Sequence, residues 1–300
     1  MSVDKSLKIQ LTDYEVKEIA PKIYKINEYN LSTMFVIVGS ERALCIDCGT
    51  GVGDYKAVIE RLTEGKPYDM VLSHGHVDHA GGREQFERIF VGEKDLNIVK
   101  EATLAYRRFY ILVMRYLMFF KCIKFKDAIM KKVGKEPELI PVKEGFVFDL
   151  GDRKIEVFES PGHTEGCLCF LSRSDKIMFS GDTFNPLELM FLAHATSIEE
   201  YRETLNKILA IEGYDLLWPS HLKDPLTRKD GEAIAATADK ILKQKHNFFL
   251  PSIFIKSKNG YSIIYRPDHV RRKKKERKKQ LQLLKICGKL RKTRNYRVLF

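Results

Sequence analysis

The chain has 300 residues, of which 44% are hydrophobic and 31% are charged, and its formal net charge at pH 7 is +12. This apolar content is enough for a sizeable core, which excludes a disordered, collagen-like or disulfide-scaffold protein. The charge is unevenly distributed, because residues 271–300 hold 14 Lys and Arg side chains and one acid, Glu276. The other 270 residues hold 38 basic and 39 acidic side chains, so the body of the protein gives no electrostatic indication of nucleic-acid binding.

No segment of the sequence indicates secretion or membrane insertion. The N-terminus lacks the apolar run of a signal peptide. The most apolar stretch, 109–120, contains Arg115 and is shorter than the roughly 20 residues that a membrane span needs. The close cysteine pairs, Cys45 with Cys48 and Cys167 with Cys169, lie in apolar runs and are predicted to be buried free thiols. We therefore expect a cytoplasmic protein.

Strand and helix signals alternate along the chain and predict an α/β fold. Apolar alternation and turn residues predict strands over 23–29, 33–40, 43–51, 68–73, 145–148, 154–160, 167–172, 176–182 and 215–218, and a closing hairpin over 251–267 around an Asn-Gly turn. Helical periodicity predicts helices over 54–62, 94–132, 198–211 and 228–244. Since strands come in adjacent runs with helices between them, we expect two sheets packed together with helices outside.

Histidine and aspartate side chains collect where the predicted strands end. Seven of them follow strands or the turns after strands: His74, His76, Asp78, His79, His163, Asp182 and His221. In an extended His-x-His segment both imidazoles point to the same side, while residues beyond the turn reach a second point nearby. Imidazole and carboxylate ligands without thiolate suit Zn²⁺, with Fe or Mn as alternatives. The pattern predicts a site for two divalent metal ions, and His194, His246 and His269 are expected to be ordinary surface or core residues.

These motifs resemble those of the metallo-β-lactamase superfamily, and the resemblance covers about residues 15–265. SHGHVDH is similar to the signature of that family, with Ser73 in place of the usual threonine, and IDCGTG, PGHTEG, SGDT and PSH resemble its other four motifs in the same order. One departure is Ser220, where glycine is commoner. The resemblance implies the αββα sandwich, with two mixed β-sheets packed face to face and helices outside.

The resemblance also implies a role for each site residue. His74, His76 and His163 would hold the first metal. Asp78, His79 and His221 would hold the second, and Asp182 would bridge the two. Asp47 is similar to the aspartate of the first family motif, which orients the metal loop without binding metal.

The function implied is metal-dependent hydrolysis. A water shared by two cations about 3.5–4 Å apart loses its proton near neutral pH. The resulting hydroxide would attack the carbonyl of a small ester, thioester or lactone, and Asp78 is the expected catalytic residue, steering the nucleophile and passing a proton to the leaving group. Asp182 resembles the bridging aspartate of thioesterases, lactonases and nucleases more than the ligand set of true β-lactamases. We therefore place the chain in the glyoxalase-II-like and lactonase-like branch, with a small-molecule acyl substrate.

The alternative function is that of a phosphodiesterase or ribonuclease of the same superfamily acting on nucleic acid. The basic tail supports this alternative if it binds RNA. The two other interpretations of the tail are a helix on an anionic membrane surface and a solvated extension. We divide the chain into a hydrolase domain over 1–268, with a helical insertion over about 97–135, and a basic tail over 269–300.

The insertion carries an aromatic stripe at helical spacing, formed by Tyr106, Phe109, Tyr110, Val113, Tyr116, Leu117 and Phe120. The stripe would line the metal site as a lid, pack the helix onto the sandwich, or form a homodimer contact. Packing is the interpretation that such a stripe ordinarily favours.

Overall fold

The computed structural model describes residues 14–117, 135–244, 254–258 and 260–272. Over these ranges the strands are β1 Glu15–Ala20, β2 Ile23–Glu28, β3 Ser32–Val38, β4 Ala43–Ile46, β5 Tyr68–Val71, β6 Arg88–Gly92, β7 Glu138–Val142, β8 Val147–Asp149, β9 Lys154–Glu159, β10 Leu168–Ser172, β11 Ile177–Gly181, β12 Leu187–Met190, β13 Leu216–Pro219, β14 Leu226–Thr227, β15 Phe254–Lys258 and β16 Tyr261–Tyr265. The α-helices are α1 Tyr55–Thr63, α2 Val77–Ala80, α3 Leu96–Glu101, α4 Leu104–Leu117, α5 Ile198–Leu209 and α6 Arg228–Leu242.

Two mixed sheets form the centre of the molecule. The first has seven strands in the order β1-β2-β3-β4-β5-β6-β7. It is antiparallel from β1 to β4 and parallel from β4 to β7. The second has six strands in the order β14-β13-β11-β10-β9-β8, and β11 and β13 are its parallel pair. A small third sheet, β12-β16-β15, lies in the second half of the chain. The predicted α/β sandwich of two mixed sheets is confirmed.

Side-chain alternation explains why the central strands are buried on both faces. In β3, Phe35 and Ile37 belong to the core shared with the second sheet, whereas Met34 and Val36 belong to the core beneath α1. In β10, Phe170 likewise faces the shared core, and its neighbours along the strand pack beneath α5 and α6. Successive side chains of a strand point to opposite faces. A strand with an apolar layer against each face therefore has an uninterrupted run of apolar residues in its sequence. The order of layers is therefore helix, sheet, sheet, helix.

Local signals fix the ends of the outer helices. The Ser197 hydroxyl accepts a hydrogen bond from the backbone N–H of Glu200, which caps α5. Thr227 and Asp230 form a capping box at the start of α6. The guanidinium of Arg202 on α5 pairs with the Asp239 carboxylate on α6 at 2.8 and 2.9 Å, and the two helices pack side by side on the second sheet.

Five strands lie outside the predicted segments, and the predicted helix over 94–132 is divided. Of these strands, β1, β7, β12 and β14 lie at sheet edges, where alternation is weak, whereas β6 is an interior strand between β5 and β7. The helical segment contains α3 and α4, separated by residues 102–103, while 118–134 lies outside the described residues. The closing hairpin is confirmed, since β15 pairs antiparallel with β16. Its attachment to β12, far earlier in the chain, was not predicted because it is a long-range pairing.

The close cysteine pairs are buried free thiols, as predicted, whereas Cys122 and Cys287 lie outside the described residues. Among the helices that the structure describes, each is too short or too polar to cross a lipid bilayer.

The topology brings several strand ends to one edge of the sandwich. Residues 47, 73, 182 and 220 follow β4, β5, β11 and β13, and β9 ends two residues before the turn at 161–164. The backbone joins the two sheets there, because the N–H of Leu168 donates to the Ser73 carbonyl at 2.8 Å. The polar strand ends of both sheets therefore meet at a common site.

Candidate metal centre

The histidine loop, residues 73–82, connects β5 to the segment after α2 and is closely packed. A Cβ added at Gly75 would lie 2.8 Å from the Cβ of Ile98, so the backbone between His74 and His76 lies directly against α3. A Cβ at Gly81 would lie 2.5 Å from the carbonyl oxygen of Thr50. These close approaches require glycine at both positions and fix the loop against the rest of the fold.

All seven predicted ligand residues lie together. Their donor atoms form three overlapping groups, in each of which the atoms lie within 4.8 Å of one another. The groups are His74, His76 and His163; His74, His79 and Asp182; and Asp78, His79 and His221. The first and third groups match the two predicted ligand sets, and the second connects them through Asp182.

Asp182 occupies the centre of the cluster. One carboxylate oxygen lies 3.1 Å from His221 Nε2 and 3.6 Å from His163 Nε2. The other lies 3.7 Å from His79 Nε2. The carboxylate therefore faces histidines of both predicted sets, which is the position that a bridging ligand needs.

The buried polar atoms of this cluster fit divalent cations. Among the described residues, His74 Nε2, His79 Nε2 and Asp182 Oδ1 are buried without a hydrogen-bond partner. Such atoms are costly to bury unless another group satisfies them. Imidazole nitrogens and carboxylate oxygens converging without thiolate form the donor set of a zinc, iron or manganese site. The residues present therefore fit two metal ions.

Burial keeps two imidazoles of the site, those of His74 and His76, uncharged. It lowers the pKa of His74 and His76 well below the ordinary histidine value, and neighbouring imidazoles lower both further. These two rings are therefore neutral at physiological pH and have a lone pair available for a cation.

Carboxylates raise the pKa values of the other three histidines of the cluster, His79, His163 and His221. Burial alone would lower the pKa of His79, but Asp78, Asp47 and Asp182 raise it to about 10. In the same way, carboxylates outweigh burial and raise the pKa values of His163 and His221. In the metal-free protein these three imidazoles therefore bind protons more tightly than an ordinary histidine does, and protons would compete with cations for them.

Asp47 supports the histidine loop from behind. One oxygen accepts a 2.7 Å hydrogen bond from the Ser73 N–H, and the other lies 2.8 Å from the Ser73 hydroxyl and 2.9 Å from His79 Nδ1. The Ser73 hydroxyl also lies 3.1 Å from His74 Nδ1, so serine supplies the hydroxyl that threonine usually provides. Asp47 therefore contacts the loop at Ser73 and His79, and its role in orienting the loop stays a prediction.

Ser220 causes no distortion beside His221. It is buried, its hydroxyl lies 3.5 Å from Asp47, and its backbone N–H donates to the Gly181 carbonyl at 3.1 Å. It is not among the residues with a positive φ, so glycine is not required at this position.

Sequence reasoning missed two buried carboxylates next to the predicted ligands. Glu188, on β12, lies 2.9 Å from His163 Nδ1. Asp95 accepts hydrogen bonds from the N–H groups of Gly75 and Gly166 at 2.8 Å and from the Thr164 hydroxyl at 2.7 Å, which joins the histidine loop to the His163 turn. Neither carboxylate belongs to a local motif, so the sequence alone offered no signal for them.

The helix α4 lies over the histidine loop. The Arg107 guanidinium donates to the Gly81 carbonyl, and the Tyr110 hydroxyl hydrogen-bonds to Asp78. By contrast, Tyr106, Phe109 and Tyr116 of the aromatic stripe are 46%, 61% and 82% exposed. The expectation that this stripe packs the helix onto the sandwich is therefore wrong for these three residues, whereas Tyr110 of the same stripe faces the histidine loop.

His194 was expected to be an ordinary residue, but it lies at the edge of the cluster. Its ring centroid is 6.4 Å from that of His76, and its Nε2 is 3.0 Å from the Glu101 carboxylate. His269 lies in the turn that follows β16, and His246 is outside the described residues.

Comparison with known proteins defines the class to which this fold and site belong. The sequence profile of the metallo-β-lactamase superfamily matches residues 29–221. The chain belongs to this superfamily and is a metallo-hydrolase.

Among curated proteins, it is similar to acyl-coenzyme A thioesterase MBLAC2 of Homo sapiens, with 26% identity over 219 residues that cover 66% of this chain and 76% of that protein. It is also similar to atrochrysone carboxyl ACP thioesterase of Emericella nidulans, with 25% identity over 251 residues, or 79% of this chain and 66% of that one.

Solved structures show the same fold. A metallo-β-lactamase from Pontibacter korlensis superposes with a TM-score of 0.57 and 17% identity, covering 75% of this chain and 99% of that one. A double mutant of the sec-alkyl sulfatase PisA1 superposes with a TM-score of 0.59 and 16% identity, covering 76% of this chain and 42% of that one.

Proposed function

We propose that this protein hydrolyses acyl thioesters at a centre of two divalent metal ions, most simply Zn²⁺. The observation that supports it is the convergence of two candidate ligand groups on Asp182, in a chain that is similar to two curated proteins named thioesterases. His74, His76 and His163 would hold one ion. Asp78, His79 and His221 would hold the other, with Asp182 between them.

When bound, such a pair of ions supplies a water of lowered pKa and polarises the carbonyl that this water attacks. Asp78 would accept a proton from the attacking water and return it to the departing sulfur, so that a thioester and water yield a carboxylic acid and a thiol. His79 and His221 lie 3.7 and 3.6 Å from Asp78, so its carboxylate faces the two side chains that would share the second ion with it. A thiol with a pKa near 8.5 leaves readily at neutral pH, which makes a thioester an easier substrate than an alkyl ester.

An initial-rate comparison on purified protein of measured metal content tests this function. An acyl-coenzyme A, a lactone and an activated phosphodiester are compared, and turnover is expected for the thioester. Asp78→Asn should lower kcat by about 100-fold or more, the usual contribution of a positioned acid or base. Asp215→Asn is the matched control, because Asp215 is exposed and pairs only loosely with Lys176 at 3.6 Å.

Turnover confined to the phosphodiester would refute the thioesterase proposal and favour the nuclease alternative. Equal rates for Asp78→Asn and Asp215→Asn would refute the role of Asp78.

A further inference from the structure

The helix α4 is held against the histidine loop by a buried arginine. Arg107 is fully buried, and its guanidinium donates to the Gly81 carbonyl and lies 3.1 Å from the Glu84 carboxylate. A Cβ added at Gly51 would lie 3.0 Å from Arg107 Nη1, so the backbone of the neighbouring loop also encloses this side chain. A buried guanidinium with several partners fixes the position of the helix relative to the loop that it contacts.

Tyr110 lies one turn further along the same helix face. Residues three apart on a helix are neighbours, so the Arg107 contacts place the Tyr110 ring next to the histidine loop. Its hydroxyl hydrogen-bonds to the Asp78 carboxylate. In this hydrogen bond the tyrosine hydroxyl donates and the carboxylate oxygen accepts.

The Asp78 carboxylate is otherwise loosely held on the side of the metal cluster. The imidazole nitrogens of His79 and His221 lie 3.7 and 3.6 Å from the same oxygen, beyond hydrogen-bond distance. A carboxylate that must both bind a cation and transfer a proton needs a defined rotation about its last side-chain bond. The Tyr110 hydroxyl on α4 is a hydrogen-bond donor that can fix this rotation of the Asp78 carboxylate.

We infer that Tyr110 is a positioning residue, whose hydroxyl orients the Asp78 carboxylate toward His79 and His221. This inference rests on the proposed function, in which Asp78 is a ligand of the second metal. The helix that carries Tyr110 belongs to none of the five metal-site motifs, so the insertion itself completes the site. Outer hydrogen bonds of this kind typically contribute 10- to 100-fold to metal affinity or activity.

Tyr110→Phe removes only the hydroxyl, and Tyr106→Phe is its matched control because Tyr106 is on the same helix and partly exposed. Metal-free protein is titrated with Zn²⁺ against a competing chelator. We expect the second equivalent to bind about tenfold more weakly to Tyr110→Phe than to the wild type or the control. The first equivalent should bind within twofold in all three proteins. Equal affinity for the second equivalent in Tyr110→Phe and Tyr106→Phe would overturn the inference.

A double-mutant cycle with Asp78→Asn tests whether Tyr110 acts through Asp78. If it does, Tyr110→Phe should cause no further loss of zinc affinity in the Asp78→Asn background. The same tenfold loss in both backgrounds would show that the tyrosine acts independently and would refute the positioning role. Wild-type protein that binds fewer than two equivalents would instead refute the proposed dimetal function, so the two failures are distinguishable.

Discussion

The His163 imidazole shows how individual side chains shape this site. Its Nε2 lies 2.9 Å from His76 Nδ1, on the side of the histidine cluster, and its Nδ1 lies 2.9 Å from the buried Glu188 carboxylate. A carboxylate on the far nitrogen fixes the tautomer and the ring orientation of a metal-binding histidine. Glu188 therefore has the same relation to His163 as Asp47 has to His79.

Replacing Glu188 with glutamine should weaken zinc binding by about tenfold, because the neutral amide no longer attracts the Nδ1 proton as the carboxylate does. Chelator competition measures the affinity, and circular dichroism checks that the fold is retained. Glu156→Gln serves as control, since Glu156 pairs with Arg173 away from the cluster. Unchanged zinc affinity in Glu188→Gln would contradict an orienting role.

At the scale of elements, α4 has two faces with different roles. Arg107 and Tyr110 contact the histidine loop, whereas Phe109, Leu112 and Tyr116 leave an apolar face in solvent. The aromatic wall predicted for an acyl chain stays a prediction, and so does a homodimer contact through the same face.

The exposed face can be tested by comparing stability with substrate affinity. Phe109→Ala and Tyr116→Ala should change the free energy of unfolding by less than about 1 kcal/mol, because surface changes have small effects. The buried Phe179→Ala should lose about 3–5 kcal/mol. If the face binds acyl chains, KM should rise for long-chain thioesters and not for acetyl thioesters, which steady-state kinetics measures. An equal change in KM for both chain lengths would exclude an acyl-binding role.

Strand prediction shows what local patterns can and cannot give. β3, β4, β10 and β11 were found because continuous apolar runs bounded by turn residues are typical of strands buried on both faces. β12 was missed, since its pattern is short and its pairing partner β16 lies more than 70 residues away. This miss affects function, because β12 carries Glu188.

At the scale of the whole molecule, the site joins the two central sheets. His74, His76, Asp78 and His79 follow β5 of the first sheet, while His163, Asp182 and His221 follow strands of the second. Metal bound between them would cross-link the two halves of the sandwich. Ligands that bind only the folded state stabilise it according to their concentration and affinity.

Zinc should therefore raise the melting temperature, and more at pH 8 than at pH 6. At 100 times Kd the stabilisation is about 2.7 kcal/mol, or ~5–10 °C. The pKa of His79 is about 10 and those of His163 and His221 are raised, so protons compete with the metal more strongly as the pH falls. Differential scanning calorimetry with and without chelator measures the shift. Asp182→Ala should lose it, and an equal shift at both pH values would contradict proton competition.

The C-terminal region is anchored where the structure describes it. Val270 is buried in the core beneath α5 and α6, and the Arg272 guanidinium lies 2.8 Å from both oxygens of Glu203. Residues 273–300 are outside the described ranges. Binding of RNA or an anionic membrane surface by the tail, the domain boundary at 268 and a cytoplasmic location stay predictions.

The sequence alone determined the superfamily, the sandwich and the seven candidate ligands. It could do so because these residues lie in short motifs at strand ends, where the number of residues between two side chains determines the distance between them. Only the tertiary structure decided the support of the site: Glu188, Asp95 and Tyr110 reach it from elements 20 to 70 residues away from their partners. Such contacts depend on how sheets and helices pack against one another. Packing between distant elements produces no repeating pattern of residues within a short stretch of sequence.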